Sequence, residues 1–129
     1  MITNAEAPVK GTQRFTRAVR LGKNRNFRYV YRKGKSYPSK HMTLVFLKGR
    51  YLKLGFSVSS KVGNAVTRNR LRRFMREDMR KTLRTLKRGS YIFVARPSLK
   101  DLTHDALTKE MYRLIESARL FKETGGAVR

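Results

Sequence analysis

GFSVSSKVGNAVTRNRLRRFMRE, residues 55–77, passes from a strand through a glycine-containing loop into a helix loaded with arginine. The alternation across residues 51–59 is clean: Leu52, Leu54, Phe56 and Val58 point one way, and Lys53, Gly55, Ser57 and Ser59 the other. Residues 61–67 read as a loop. Beyond them Leu71, Phe74, Met75, Met79, Leu83 and Leu86 recur at helical spacing. They predict an amphipathic helix over residues 68–86, with Gly89 as its stop signal.

On the N-terminal side, residues 41–48 (HMTLVFLK) are rich in β-formers, and residues 48–50 (KGR) make a turn candidate. Residues 41–48 and 51–59 are therefore expected to pair as a hairpin with one buried face. Residues 91–95 (YIFVA) form a continuous apolar run, the signature of a central strand, which Pro97 ends. A first helix, capped by Asn24 or Asn26 and ended by Gly34, carries Phe27, Val30 and Tyr31 on one face. Arg25, Arg28 and Arg32 lie largely on another. A last helix over residues 103–121 aligns Leu107, Met111, Leu114, Ile115 and Ala118. Residues 36–37 leave room for a short strand. The order is α-β-β-α-β-α, an α+β fold in which two or three helices pack on one small mixed β-sheet. Were the strands on either side of the arginine helix parallel neighbours, the general rule would make their crossover right-handed.

The chain has 129 residues, which fits one domain. Residues 1–22 read as a flexible basic extension, residues 23–121 as the folded domain and residues 122–129 as a flexible tail. The net charge is +24, far beyond what dispersal in water needs, and calls for a polyanionic partner. The charge is uneven. Residues 1–76 hold 20 basic residues and one acid; residues 77–129 hold 12 basic and seven acidic. There is no cysteine, which removes disulfide scaffolds, zinc fingers and thiol nucleophiles. No apolar run approaches the ~20 residues of a membrane span, and residues 1–21 lack the apolar segment of a signal peptide. A cytoplasmic protein is the simplest inference.

Between residues 68 and 76 stand five arginines and no acid. Like charges at i, i+4, as in Arg72 and Arg76, destabilise an isolated helix. Their concentration points to a compensating anion, and the guanidinium fork suits phosphate oxygens. Carboxylates near this centre are limited to Glu77 and Asp78, and the two histidines, His41 and His104, are far apart in sequence. Parts for protein-borne hydrolysis are scarce. His41 reads as a solvated polar residue and His104 as a surface residue.

The same stretch closely resembles the signature of the protein component of bacterial ribonuclease P, K-x-G-x-A-V-x-R-N-R-x-[KR]-R-x-x-R-E. Lys61, Gly63, Ala65, Val66, Arg68, Asn69, Arg70, Arg72, Arg73, Arg76 and Glu77 fill its fixed positions. FRYVYRKGKS and YIFVAR extend the resemblance over residues 23–121. The resemblance implies a left-handed β-α-β crossover, as in ribosomal protein S5 domain 2, which overrides the general rule. It implies an RNA-binding subunit of a ribonucleoprotein that removes 5′ leaders from precursor tRNA. The RNA subunit would catalyse, with Mg2+ acting through it and none bound permanently by the protein.

By the same resemblance, Arg68, Asn69, Arg70, Arg72, Arg73 and Arg76 would face the catalytic RNA. The single-stranded leader would lie in a cleft between the first helix and the sheet. Its contacts would be Phe27 and Tyr31 from the helix, Thr43, Val45 and Ser57 from the sheet, and Lys61 and Arg96 at the edge. Some relatives carry an aromatic residue where Val45 aligns, and Phe46 is expected to face the opposite side. Ser60 replaces the first of two lysines common in relatives. Expected partners are the catalytic RNA and precursor tRNA, with no membrane and no obligate protein partner. The competing readings are a basic ribosomal or ribosome-assembly protein, and a protein-only nuclease using Glu77 or Asp78.

Overall fold

The apolar run YIFVA takes the centre of the sheet. In the structure, a computed structural model that describes residues 19–122, it belongs to β4 (Gly89–Ala95). The other strands are β1 (Lys35–Pro38), β2 (Met42–Lys48) and β3 (Lys53–Ser57). The order is β1-β2-β4-β3, with β3 parallel to β4 and the other pairs antiparallel. The helices are α1 (Asn24–Lys33), α2 (Ala65–Arg80) and α3 (His104–Ser117). Three helices on a four-stranded mixed sheet make the expected α+β fold.

The expected hairpin does not form. β4 lies between β2 and β3, which do not pair with each other. Burial explains this. Tyr91 and Phe93 fill the core on one face of β4 and Ile92 fills it on the other. A strand apolar on both faces needs neighbours on both edges and cover on both sides. β3 therefore connects to its parallel neighbour β4 through α2. The far edge of β3 is covered by residues 19–21, which the sequence pattern places in a flexible extension. Leu21 N–H donates to Leu54 O at 2.8 Å, Leu54 N–H donates to Val19 O at 2.7 Å, and Leu21 is buried.

The sheet separates two cores. On one face α2 and α3 cover Met42, Leu44, Leu54, Tyr91 and Phe93 with Leu71, Met75, Met79, Leu107 and Met111. On the other α1 lays Val30 over Val45 and Ile92. Phe46 turns to the first face, edge-on to Tyr91 with ring centroids 4.8 Å apart, as expected.

Helix ends differ from the sequence reading for local reasons. α1 starts without a side-chain cap, at Lys23 rather than Asn24 or Asn26. α2 begins three residues early because the Asn64 side chain accepts from Thr67 N–H at 2.9 Å. It stops at Arg80, where the Thr82 hydroxyl donates to the terminal carbonyl of Met79. Leu83 and Leu86 still enter the core through a short 3-10 turn, Leu83–Thr85. α3 ends at Ser117 because Arg119 adopts a left-handed φ of 58°, which lets Leu120 N–H bond back to Ile115 O.

Candidate nucleic-acid interface

Strand alternation and register place the sheet half of the site. Thr43 and Ser57 both lie opposite Val94, so Thr43, Val94 and Ser57 form one row across three strands. All three are half-buried, on the face that α1 covers. One row deeper are Val45, Ile92 and Gly55, directly beneath α1. Val45 is therefore a core residue, 4% exposed, and not an open wall of the cleft. Phe27 packs flat enough on Gly55 that a Cβ there would fall 2.6 Å from its Cζ. Glycine at this position lets the ring reach the sheet.

Phe27 and Tyr31 stand one turn apart on α1, centroids 6.4 Å apart, and Tyr31 is 43% exposed. With Asn24, Arg28, Phe56, Ser57, Val58 and Arg72 they line a cleft of about 370 Å³ where α1, the end of β3 and α2 meet. The structure thus brings Phe27, Tyr31 and Ser57 together. Thr43 lies outside this cleft, between Pro38 of β1 and Val94 of β4. Arg96 is exposed beside it, its Nη2 3.4 Å from Thr43 Oγ1. Lys61 is exposed in the loop before α2.

Arg28 and Asn24 escape the sequence reading, which sets Arg28 on a separate face. The signal is present: Asn24, Phe27, Arg28 and Tyr31 follow i, i+3, i+4, i+7 spacing and form one stripe.

α2 supplies the second surface. Asn69, Arg70 and Arg73 are exposed; Arg68, Arg72 and Arg76 are half-buried at the flank of the packed stripe. Two of them are held in place. Arg68 Nε donates to Gly63 O at 3.1 Å. Arg72 donates from Nη1 to Asn69 Oδ1 at 2.9 Å and from Nη2 to Val58 O at 3.3 Å. Because Arg72 also lines the α1 cleft, the arginine helix and the aromatic cleft form one continuous surface. Burial, together with Arg20, Arg72 and Arg80, holds the Arg76 guanidinium below its ordinary pKa. Arg20, from the segment paired to β3, is a further cation that sequence spacing does not connect to α2.

Of the two candidate acids, Asp78 has a structural place and Glu77 is half-buried. Asp78 is buried between α2 and α3. Its Oδ2 accepts from the Thr108 hydroxyl at 2.7 Å, and its Oδ1 lies 3.2 Å from His104 Nε2. His104, expected as a plain surface residue, stacks on Phe74 with centroids 4.1 Å apart. His41, expected to be solvated, has its Nδ1 2.7 Å from Ser98 Oγ. Among the described residues no three of His, Asp and Glu gather where a metal ion could be held.

Comparison with known proteins agrees with this geometry. Residues 15–119 match the family model described as Ribonuclease P. The ribonuclease P protein component of Clostridium botulinum strain 657 is 39% identical over 106 residues, covering 79% of this chain and 96% of that protein. That of Staphylococcus carnosus is 34% identical over 110 residues, covering 83% and 96%. The solved RNase P protein of Staphylococcus aureus superposes with a TM-score of 0.78 at 29% identity, over 82% of this chain and all of that one. Fold, arginine-rich α2 and sequence agreement across nearly the whole described domain lead to one assignment: the chain belongs to the ribonuclease P protein component family.

Proposed function

We propose that this subunit of ribonuclease P binds the catalytic RNA through α2 and the leader of precursor tRNA through the α1 cleft, while the RNA performs the hydrolysis. The continuity of the two surfaces at Arg72 carries the reading. Arg68, Asn69, Arg70, Arg72, Arg73 and Arg76 contact phosphates of the catalytic RNA. Phe27 and Tyr31 stack bases of the single-stranded leader, a contact that tolerates any sequence and is worth about 1–3 kcal/mol per base. Ser57, Thr43 and Arg96 extend the track along the open row of the sheet. Val45 acts from beneath, by seating α1. Lys61 contributes a phosphate contact from the loop.

The scarcity of catalytic side chains supports assigning bond cleavage, and its Mg2+, to the RNA. Asp78 is engaged by Thr108 and lies beside His104, inside the fold. Among the described residues no helix is long and apolar enough to cross a membrane; the proposed place of action is the cytoplasm. The ribosomal reading is not favoured by the family match.

The test is reconstitution. Purified protein is mixed with a bacterial ribonuclease P RNA and precursor tRNA at low magnesium. The protein should raise cleavage by the RNA and show none alone. No stimulation would overturn the proposal, and cleavage by the protein alone would transfer the chemistry to it.

A further inference from the structure

A second basic hollow lies at the other end of the sheet. The α1 cleft opens at Ser57, where β3 ends; this hollow opens beside Leu52, just before β3 begins at Lys53. Four steps along the strand lead from Lys53 to Ser57, about 13 Å. The hollow measures about 520 Å³. Its floor is apolar, made by Leu52, Leu83 and Leu86. Its rim holds three cations, Arg50, Arg88 and Lys122, and the ring of Tyr51, which is 66% exposed. Among the described residues no carboxylate lines it.

The walls are fixed by backbone bonds from distant parts of the chain. Lys122 N–H donates to Thr85 O at 2.6 Å, and Lys87 N–H donates to Leu120 O at 2.8 Å. These bonds hold Lys122 and Arg88 against the 3-10 turn that supplies the floor.

We propose that this hollow is a separate single-stranded RNA site, taking one or two phosphates on Arg50, Arg88 and Lys122 with an adjoining base stacked on Tyr51. Three cations, with no acid among the described residues of the lining, select an anion. The exposed ring beside them selects one that carries a planar face. An acidic peptide supplies charge but no base. A duplex supplies phosphates but keeps its base faces stacked. A single strand supplies both. The site is distinct from α2 and from the α1 cleft, and shares no residue with either.

Hexauridylate titrated into the isotope-labelled full chain tests this. The amides of Arg50, Tyr51, Arg88 and Lys122 should shift saturably. Tyr51→Ala should weaken that response at least about fivefold, the low end of what one stacked base provides. Arg50→Ala with Arg88→Ala should flatten its salt dependence by about 0.7 for each phosphate no longer held. All three side chains are exposed, so both variants should fold. Shifts at Phe27 and Tyr31, which report the α1 cleft, should be unchanged in either variant. Hexauridylate shifts confined to the cleft and α2 would overturn the proposal. So would equal affinity of the hollow for hexaglutamate, or a Tyr51→Ala response equal to wild type.

Discussion

Phe27 and Gly55 work as a pair: the ring occupies the space that any side chain at residue 55 would need. Gly55→Ala should therefore push Phe27 out of position and destabilise the protein by about 1–3 kcal/mol in chemical denaturation, the usual cost of overpacking. Phe27→Ala should lower affinity for precursor tRNA more than for mature tRNA, measured on protein shown to be folded. An equal drop for both would leave Phe27 with a packing role alone. Arg76 shows the opposite relation between function and stability. Its neighbours Arg20, Arg72 and Arg80 repel it. Arg76→Gln should raise the melting temperature of the RNA-free protein at low salt, and the gain should shrink as salt is added. A gain that ignores salt would mean the neighbours do not act through charge.

Among the elements, α3 is tied down at its start and at its middle by acids whose structural role the sequence pattern does not show. At one, Asp78 of α2 accepts from Thr108 and lies beside His104. Asp78→Ala would remove the buried acceptor that Thr108 and His104 share from the contact between α2 and α3, and should cost about 1–3 kcal/mol in denaturant titration. At the other, Glu110 accepts from the Ser39 hydroxyl at 2.5 Å and from His41 N–H at 3.2 Å. Burial pushes its carboxyl up, but those bonds, the His41 ring and Arg113 outweigh it and leave the pKa below the ordinary 4.5. A depressed carboxyl stabilises the fold fully above its unfolded value and loses that contribution as pH falls through the lower, folded one. Glu110→Gln should be less stable than wild type near neutral pH, with the gap closing as acid protonates the native carboxyl. A gap independent of pH would remove Glu110 from the acid response. Neither acid's structural role is legible in the sequence, because each depends on a partner 26 or more residues away. What is legible is local: the strands, the stripe of α2 and the central place of YIFVA. The hairpin fails because adjacency along the chain says nothing of which strand needs cover on both faces. The cleft is half legible. Strand alternation puts Thr43, Val45 and Ser57 on one face, but the depth at which α1 sits over Val45 follows only from packing.

At the scale of the whole molecule, the excess of +24 is organised rather than spread. The acid-free residues 7–76 include α1, the end of β3 and most of α2, the elements that meet at the cleft. Acids return at Glu77, and two of them, Asp78 and Glu110, hold α3 to its neighbours. This division is the electrostatic layout that the proposed RNA surface of α1 and α2 requires. The central claim is that α2 is the surface for the catalytic RNA, and the salt dependence of binding tests it most directly. Arg73 is exposed and Arg76 is surrounded by like charge, so neither should be needed for folding. Binding of the Arg73→Ala, Arg76→Ala variant to a ribonuclease P RNA should weaken, and the slope of log K against log salt should fall by about two relative to wild type. A variant that binds with the wild-type slope would contradict the account.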